Sequence, residues 1–300
     1  PRPPPPMHPC IGSGVSFLFE GARILYSNLG GMGPDTPDGA STGVQGIRFV
    51  NVGTFTLPSG AQQYFDLLVT NRSEYTPYDS SLNQLQGHFA QINLACNNQV
   101  DLRVTTMLSC SPAPSCKLCD RMTPVAGGNT FTWAERDACY NAGCSCYGAT
   151  IYWHAQCEGA SLAYHMTNYN CAGLNTPIIL PYGSLITMSV LDFDTGPGGN
   201  YSEQLHVPDY AYYRTPLRPS TGAEFLPTTI HVNYHTRTFT ATAPGDSFNN
   251  PTNPNDLSNV AAVRGIQFFF YAQNGYVEAT YTVQSNVTDC TGRNLLFAGD

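Results

Sequence analysis

Short stretches of alternating apolar and polar residues recur along the chain. Residues 100–105 and 277–283 alternate almost strictly, and this period of two is typical of strands with one buried face. Residues 266–271 are more continuously apolar, which predicts a deeper strand. Gly, Pro, Asn and Asp clusters separate these stretches, and no clean helical period runs beyond about ten residues. The pattern predicts an all-β fold.

The same β-rich pattern occurs twice. Residues 185–207 form an apolar strand, the loop Asp192-Phe-Asp-Thr-Gly-Pro-Gly-Gly-Asn200 and a second strand, and residues 15–50 repeat this order around Gly33-Pro-Asp-Thr-Pro-Asp-Gly39. Blocks within residues 79–105 are echoed within residues 256–282. We therefore expect two tandem antiparallel β-sandwich modules of jelly-roll or C2-like type, over residues 15–108 and 179–300, the second with a short C-terminal tail. Such duplication favours an architectural role over a single catalytic centre.

A cysteine-dense segment, residues 109–178, separates the two copies. The chain has 11 cysteines and a single lysine, Lys117, which favours an oxidising compartment and a disulfide-stapled insertion. Because the total is odd, one cysteine is left over, and Cys10 is the best candidate. Zinc binding through Cys116 and Cys119 is a weaker alternative. The disulfide candidates are Cys96, Cys110, Cys116, Cys119, Cys139, Cys144, Cys146, Cys157, Cys171 and Cys290.

Charge and hydropathy limit the kinds of partner that the chain can bind. Charged residues make up 11% of the chain and the net charge is −8, which argues against nucleic acid because phosphate binding needs a concentrated basic face. No apolar run of about 18 residues predicts a membrane-spanning helix, so we expect no membrane insertion. Together with the cysteines, this composition predicts an extracellular or cell-surface protein.

Three sequons and a proline-rich start fit that location. N-glycosylation is predicted at Asn71, Asn200 and Asn286, each followed two residues later by Ser or Thr, so covalent glycans are expected partners. Residues 1–14 form a predicted polyproline II arm. The arm is either a linker or a preorganised segment that docks on a neighbouring subunit, with Pro3, Pro4, Pro5 and Pro6 as candidates for assembly contacts and O-glycosylation.

The acidic loops are the candidate metal sites. Asp192 and Asp194 are alternate residues of one strand end and project to the same side, with Asn200 and Glu203 in reach, and Asp35 and Asp38 stand at the corresponding place in the first copy. Calcium takes six to eight oxygen ligands of these kinds, so calcium is the one cofactor that we consider. The alternative is a turn that uses Asp, Gly and Pro for conformational reasons only.

Other motifs favour structure over catalysis. The Gly39-Ala-Ser41-Thr-Gly43 stretch matches a nucleophile elbow in letters, but it lacks the strand-to-helix context that this motif requires. We therefore predict that the protein is not an enzyme. Tyr210, Tyr212 and Tyr213 are neighbours that either pack in the sandwich or present rings to a sugar or a partner.

The Asp192–Asn200 block, followed by Pro208-Asp-Tyr-Ala-Tyr-Tyr-Arg-Thr-Pro-Leu217, resembles a repeat in large secreted proteins of algae and other protists. With its proline-rich arm, sequons and cysteine insertion, the chain is similar to subunits of their extracellular glycoprotein filaments, including mastigoneme-like surface hairs. It lacks the EGF-like cysteine spacing of some flagellar hair proteins. The resemblance implies a structural glycoprotein that polymerises with copies of itself, head to tail, through the N-terminal arm. The alternative is a calcium-assisted carbohydrate-binding adhesin.

Overall fold

The computed structural model describes residues 15–17, 19–35, 45–56, 62–108, 177–178, 185–220, 226–245, 250–271 and 275–299. The first seven strands are β1 (Val15–Phe17), β2 (Arg23–Asn28), β3 (Gly46–Thr56), β4 (Gln62–Asn71), β5 (Leu85–Gln86), β6 (Phe89–Leu94) and β7 (Asn98–Leu108). The other eight are β8 (Leu185–Leu191), β9 (Tyr201–His206), β10 (Tyr212–Arg214), β11 (Ile230–Asn233), β12 (Thr238–Ala241), β13 (Ile266–Tyr271), β14 (Tyr276–Ser285) and β15 (Arg293–Ala298).

Among the described residues, one short α-helix lies between the strands. Helix α1 (Asn259–Val263) begins after Ser258, whose hydroxyl accepts a hydrogen bond from the backbone N–H of Ala261 at 3.2 Å. This contact satisfies one of the backbone donors that the first turn of a helix leaves free. The described part of the chain is therefore almost entirely β, as the period-two pattern predicts.

The strands form two antiparallel sheets. The larger sheet has nine strands in the order β1-β3-β4-β7-β14-β9-β12-β11, with β2 also paired to β3, and the smaller has six in the order β10-β13-β8-β15-β6-β5. Phe49 of the larger sheet and Phe297 of the smaller sheet meet edge to face at 6.5 Å, and Phe239 meets Phe268 at 4.8 Å. These contacts show a sandwich with one shared core. The all-β sandwich prediction is confirmed.

The two sequence copies do not fold into separate sandwiches. Strand β7 of the first copy pairs with β14 of the second in the larger sheet, and β6 of the first pairs with β15 of the second in the smaller sheet. This arrangement differs from the two tandem modules that the duplication predicts. Its physical reason is that β7 and β14 each need a partner for their backbone N–H and C=O groups, and each provides it for the other.

The pairing of β7 with β14 shows local two-fold symmetry. When residues 99–105 are aligned with residues 276–282, Leu102 corresponds to Ala279, and these two residues are also direct partners across the ladder. Val100 pairs with Tyr281 and Val104 with Val277, so the two strands are related by rotation about a point between Leu102 and Ala279. The duplication therefore forms the centre of one sheet.

The strand directions give the sandwich two distinct poles. Strand β1 begins, β7 ends, β8 begins and β15 ends at one pole, which we call the connection pole. Pro177 forms a β-bridge with Met107 close to the end of β7, so both ends of residues 109–176 also connect there. The short β6–β7 connection and the β14–β15 connection lie at the opposite pole.

Candidate functional site

The three predicted glycosylation acceptors lie at one pole of the sandwich, which we call the sequon pole. Strand β4 ends at Asn71, β9 begins just after Asn200, and β14 ends one residue before Asn286. These strands lie close together in the larger sheet, in the order β4-β7-β14-β9. Because neighbouring strands are antiparallel, the three acceptors lie at the same end of the strands. Acceptors that span 215 residues of sequence (286 − 71) therefore share one end of the fold.

Asn200 and Asn286 are direct neighbours. The backbone N–H of Asn286 donates to the carbonyl oxygen of Asn200 at 3.0 Å, and the Ser285 hydroxyl donates to the same carbonyl at 3.1 Å. The Asn97 side-chain oxygen accepts from the backbone N–H of Ser285 at 2.8 Å and fixes the adjoining turn. Asn200 and Asn286 are both exposed, so their side-chain amide nitrogens are accessible for glycosylation.

Asn71 has a different environment. Its side-chain oxygen accepts from the backbone N–H of Gly30 at 3.0 Å, and its Nδ2 donates to the carbonyl of Ser73 at 2.9 Å. The Ser73 hydroxyl in turn accepts from the backbone N–H of Asp101 at 2.8 Å. An N-glycosidic bond replaces one of the two hydrogens on Nδ2, so a glycan here is compatible with the remaining donor bond to Ser73.

A buried acidic cluster lies beneath the sequon pole, between β8, β9 and β14. The backbone N–H of Asp194 donates to Glu203 Oε2 at 2.8 Å, and the Tyr281 hydroxyl donates to Glu203 Oε1 at 2.5 Å. The Tyr201 hydroxyl donates to Asp194 Oδ1 at 3.3 Å. Glu203 and Tyr281 are only 2% and 0% exposed, so these bonds replace water at the carboxylate.

Burial raises the pKa of the Glu203 carboxyl well above its ordinary value of 4.5, and the nearby charge of Asp194 raises it further. The hydrogen bond from Tyr281 acts in the opposite direction but is the smaller effect. Burial also raises the pKa of the Tyr281 hydroxyl, followed by the charge of Glu203. The cluster therefore favours the state in which Glu203 holds a proton.

Close backbone contacts hold the cluster in place. A methyl group added at Gly245 would lie 1.4 Å from Asp194 Oδ2, so only glycine lets the chain pass the carboxylate. The Arg293 guanidinium lies 3.4 Å from the ring centroid of Tyr201 and adds a positive charge beside the ring whose hydroxyl donates to Asp194. Chemically, the arrangement can hold a proton, and it joins β9 to β14 and to the loop that follows β8.

The predicted calcium ligands differ in their exposure to solvent. Asp194 is buried and accepts from Tyr201, whereas Asn200 is exposed at the surface. Asp192 is half-buried in a left-handed backbone conformation with φ of 58°. Asp35 pairs through its backbone with Ser27, and Asp38 lies outside the described residues. Within the described ranges, no group of three or more His, Cys, Asp or Glu side chains is placed to hold a metal ion. Calcium stays a prediction.

Sequence reasoning placed Glu203 near a loop ligand set and overlooked Tyr281. A signal was present, because Tyr201, Glu203 and Leu205 are alternate residues of β9 and all three are buried. A carboxylate between two inward-facing apolar positions faces the core, where it needs donors. Tyr281 supplies one from the neighbouring strand, and only the strand order reveals that.

The consecutive tyrosines divide between core and surface. Tyr213 and Tyr210 pack against Phe239 with ring centroids 5.1 and 5.7 Å apart. Tyr212 projects to the other side of β10, where it is 43% exposed and stacks on Phe269 at 4.1 Å. The cluster is therefore mainly the aromatic edge of the sandwich, with Tyr212 at the surface.

Within the described ranges, two of the disulfide candidates are bonded to each other. Cys96, in the β6–β7 connection, is bonded to Cys290, in the β14–β15 connection, at the sequon pole. The remaining predictions on cysteines and prolines concern residues outside the described ranges. They are Pro3, Pro4, Pro5, Pro6, Cys10, Cys110, Cys116, Cys119, Cys139, Cys144, Cys146, Cys157 and Cys171.

No protein-family model matches the chain, and no curated protein matches it. Among solved structures, the chain is similar to the N-terminal domain of the Streptococcus gordonii adhesin Sgo0707, with 8% sequence identity and a TM-score of 0.29. The match covers 97% of this chain and 56% of that one, so this chain spans little more than half the length of the neighbour. In the part of the chain that the structure describes, no helix is long and apolar enough to cross a membrane.

Proposed function

We propose that this chain is a non-enzymatic structural subunit of an extracellular, glycosylated filament or cell-surface fibril. The observation that carries the proposal is the separation of the two poles. Three sequons collect at one end of the sandwich, and the start of β1, the end of β7, the start of β8 and the end of β15 collect at the opposite end. A rigid module with two unlike ends is suited to head-to-tail assembly.

The chemistry of glycans explains why such a separation suits an assembly. An N-linked glycan is bulky and hydrated, and it occupies the surface around its asparagine. Glycans on Asn71, Asn200 and Asn286 would cover the sequon pole, so the connection pole of one subunit would dock on the unglycosylated sides of the next. A contact between unlike surfaces does not close on itself and generates a linear or helical polymer.

The disulfide and the composition support an extracellular location. A bridge that joins Cys96 to Cys290 persists in an oxidising compartment, and the sequons are used only in the secretory pathway. The proline-rich residues 1–14 are the proposed connector, because a preorganised extended segment loses little entropy when it docks on a neighbour.

The test is assembly of the secreted chain with and without its arm. We expect full-length protein to sediment as a distribution of polymers and to form fibres in electron microscopy. Deletion of residues 1–10 should leave single folded molecules with unchanged circular dichroism. The matched control is enzymatic removal of N-glycans, which should leave the connection pole and polymerisation intact. Fibres that persist without the arm would rule out the arm mechanism.

A calcium-assisted carbohydrate-binding adhesin is the second candidate function. Exposed tyrosines favour it, since Tyr212, Tyr234 and Tyr271 are 43%, 69% and 57% exposed and aromatic rings stack on sugars. Its test is thermal unfolding and glycan-array binding with and without a calcium chelator. Unchanged melting and binding under chelation would remove calcium from this candidate.

A further inference from the structure

The larger sheet has a solvent-facing side with an unusually regular chemistry. Strands β11, β12, β9, β14 and β7 are consecutive neighbours, and their registers align residues in rows across all five. One row faces the core and consists of aliphatic and aromatic residues; it contains Val232, Phe239, Leu205, Tyr281 and Val100. Because side chains alternate across a strand, the flanking rows face outward.

The two flanking rows contain hydroxyl, amide and imidazole side chains with one carboxylate at the rim. The first row contains His231, Thr240, Gln204, Thr282 and Gln99. The second row contains Asn233, Thr238, His206, Thr280 and Asp101. All ten are half-buried or exposed, so the rows form an accessible surface, which we call the polar face.

The polar face carries very little net charge. Its one carboxylate, Asp101, lies on β7 and accepts a hydrogen bond from the Thr280 hydroxyl at 2.6 Å. Beyond it, Arg103 and Glu278 neutralise each other through a contact of 2.6 Å. This local neutrality contrasts with a chain whose net charge is −8. A neutral, hydrogen-bonding surface is complementary to a neutral, hydroxyl-rich ligand.

Several polar groups of the face are available to a ligand. Among the residues that the structure describes, the side chains of Thr240 and Gln204 have no hydrogen-bond partner, and they are adjacent in the centre of the first row. Neighbouring strands are about 4.8 Å apart, so the five strands give the face a width of about 19 Å. That width accommodates several sugar rings in line.

We infer that the polar face binds a neutral polysaccharide, which lies along the rows and exchanges hydrogen bonds with their hydroxyl and amide groups. This goes beyond the proposed structural role, because it assigns the subunit a matrix ligand. It requires neither the N-terminal arm nor the glycans on the sequons. The contacts are directional and shallow, and affinity comes from several adjacent sugar rings.

The test uses the full-length, enzymatically deglycosylated protein and four polysaccharides: β-1,4-glucan, β-1,3-glucan, β-mannan and the anionic polymer alginate. Retention on each is measured by affinity electrophoresis. We expect retention on at least one neutral polymer and none on alginate. Failure to bind any neutral polymer overturns the inference, and so does preferential binding to alginate.

The variant Thr240→Val with Thr282→Val removes two hydroxyls from the first row and keeps the β-branched shape that strands favour. We expect about a tenfold loss of affinity, the effect of losing two hydrogen bonds of ordinary strength. The matched control is Thr187→Val on the outer side of the smaller sheet, which should bind like the unmodified protein.

Two other results would contradict the inference. If Tyr234→Ser abolishes binding while the double valine variant binds normally, the sugar binds the tyrosines and not the polar face. If the double variant instead changes the sedimentation coefficient of the protein, the face is a contact between copies of the chain. The failure of filament formation after arm deletion is measured separately, so the inference and the proposed function can fail independently.

Discussion

The backbone N–H of Asn286 donates to the carbonyl oxygen of Asn200 at 3.0 Å, and this bond joins two glycosylation sequons that are 86 residues apart (286 − 200). The bond lies where β14 ends and β9 begins, at the end of the larger sheet where Asn71 also lies. Because β4, β9 and β14 share this end, the sandwich has its sequons at one pole, opposite the pole where β1 begins and β7 ends.

Removing single sequons should remove single glycans and leave the fold intact. Thr288→Ala eliminates the Asn286 sequon and Ser202→Ala eliminates the Asn200 sequon, while both asparagines keep their backbone bond. We expect each variant, secreted from eukaryotic cells, to lose the mass of one glycan in intact-protein mass spectrometry, with unchanged circular dichroism. If the unsubstituted protein and the two variants have the same mass once the substitutions are taken into account, glycosylation at Asn200 and Asn286 is contradicted.

Glu203 should make the protein less stable as the pH rises. Its folded-state pKa is raised, so its protonated form is favoured in the fold, and this stability is fully present below the ordinary pKa of 4.5 and is lost as the pH rises through the folded value. Glu203→Gln mimics the protonated carboxyl. We expect its melting temperature to match the unmodified protein near pH 4 and to exceed it at pH 8.

The control for this pH dependence is Glu278→Gln, a change in a half-exposed carboxylate that pairs with Arg103. It should leave the slope of melting temperature against pH close to that of the unmodified protein. Equal slopes for Glu203→Gln and the unmodified protein would show that Glu203 is ionised in the fold without penalty.

The Cys96–Cys290 bridge should contribute strongly to stability. It joins the β6–β7 and β14–β15 connections across a sequence separation of 194 residues, and a bridge over a long loop restricts the unfolded chain. Replacing both cysteines with serine should cost about 2–5 kcal/mol in the free energy of unfolding. Denaturant titration of the double variant measures this free energy. A loss below about 1 kcal/mol, seen as a nearly unchanged midpoint, would mean that other contacts hold the two connections in place.

The buried ion pair between β3 and β4 should be intolerant of single changes. The Arg48 Nη2 atom lies 2.8 Å from Asp66 Oδ2, and both side chains are almost fully buried. Arg48→Met leaves the Asp66 carboxylate without its main cationic partner and should cost about 3–5 kcal/mol. The double variant Arg48→Met with Asp66→Leu should recover most of this loss. Equal stabilities of the single and double variants in denaturant titration would contradict the pairing.

The sequence predicted the strands better than their partners. Alternation over residues 277–283 identifies the inward face of β14, because Val277, Tyr281 and Val283 are apolar and buried. It carries no information on which strand lies next to it, since any strand of the same pattern satisfies the ladder. The pairing of β14 with β7 is a long-range choice, and for that reason the prediction of two separate sandwiches missed the shared sheets.

The sequons and the Glu203 cluster also combine local features that the sequence shows with long-range contacts that it does not show. Each sequon is three residues long and can be read directly, but the gathering of Asn71, Asn200 and Asn286 depends on strand order. Glu203 was visible as an inward-facing residue, whereas its donor Tyr281 lies 78 residues further along the chain. The sequence leaves a calcium site and a turn as alternatives for the acidic loop, because Asp-rich loops serve both, and it does not show that Asp194 is buried.

Cryo-electron microscopy of the protein isolated from its native source tests the central claim most directly. We expect repeating subunits in head-to-tail order, with glycan density extending from Asn71, Asn200 and Asn286 at one pole and the connection pole of each subunit docked on the unglycosylated side of the next. Single unassembled molecules, or fibres whose subunits contact one another through an unglycosylated sequon pole, would contradict it.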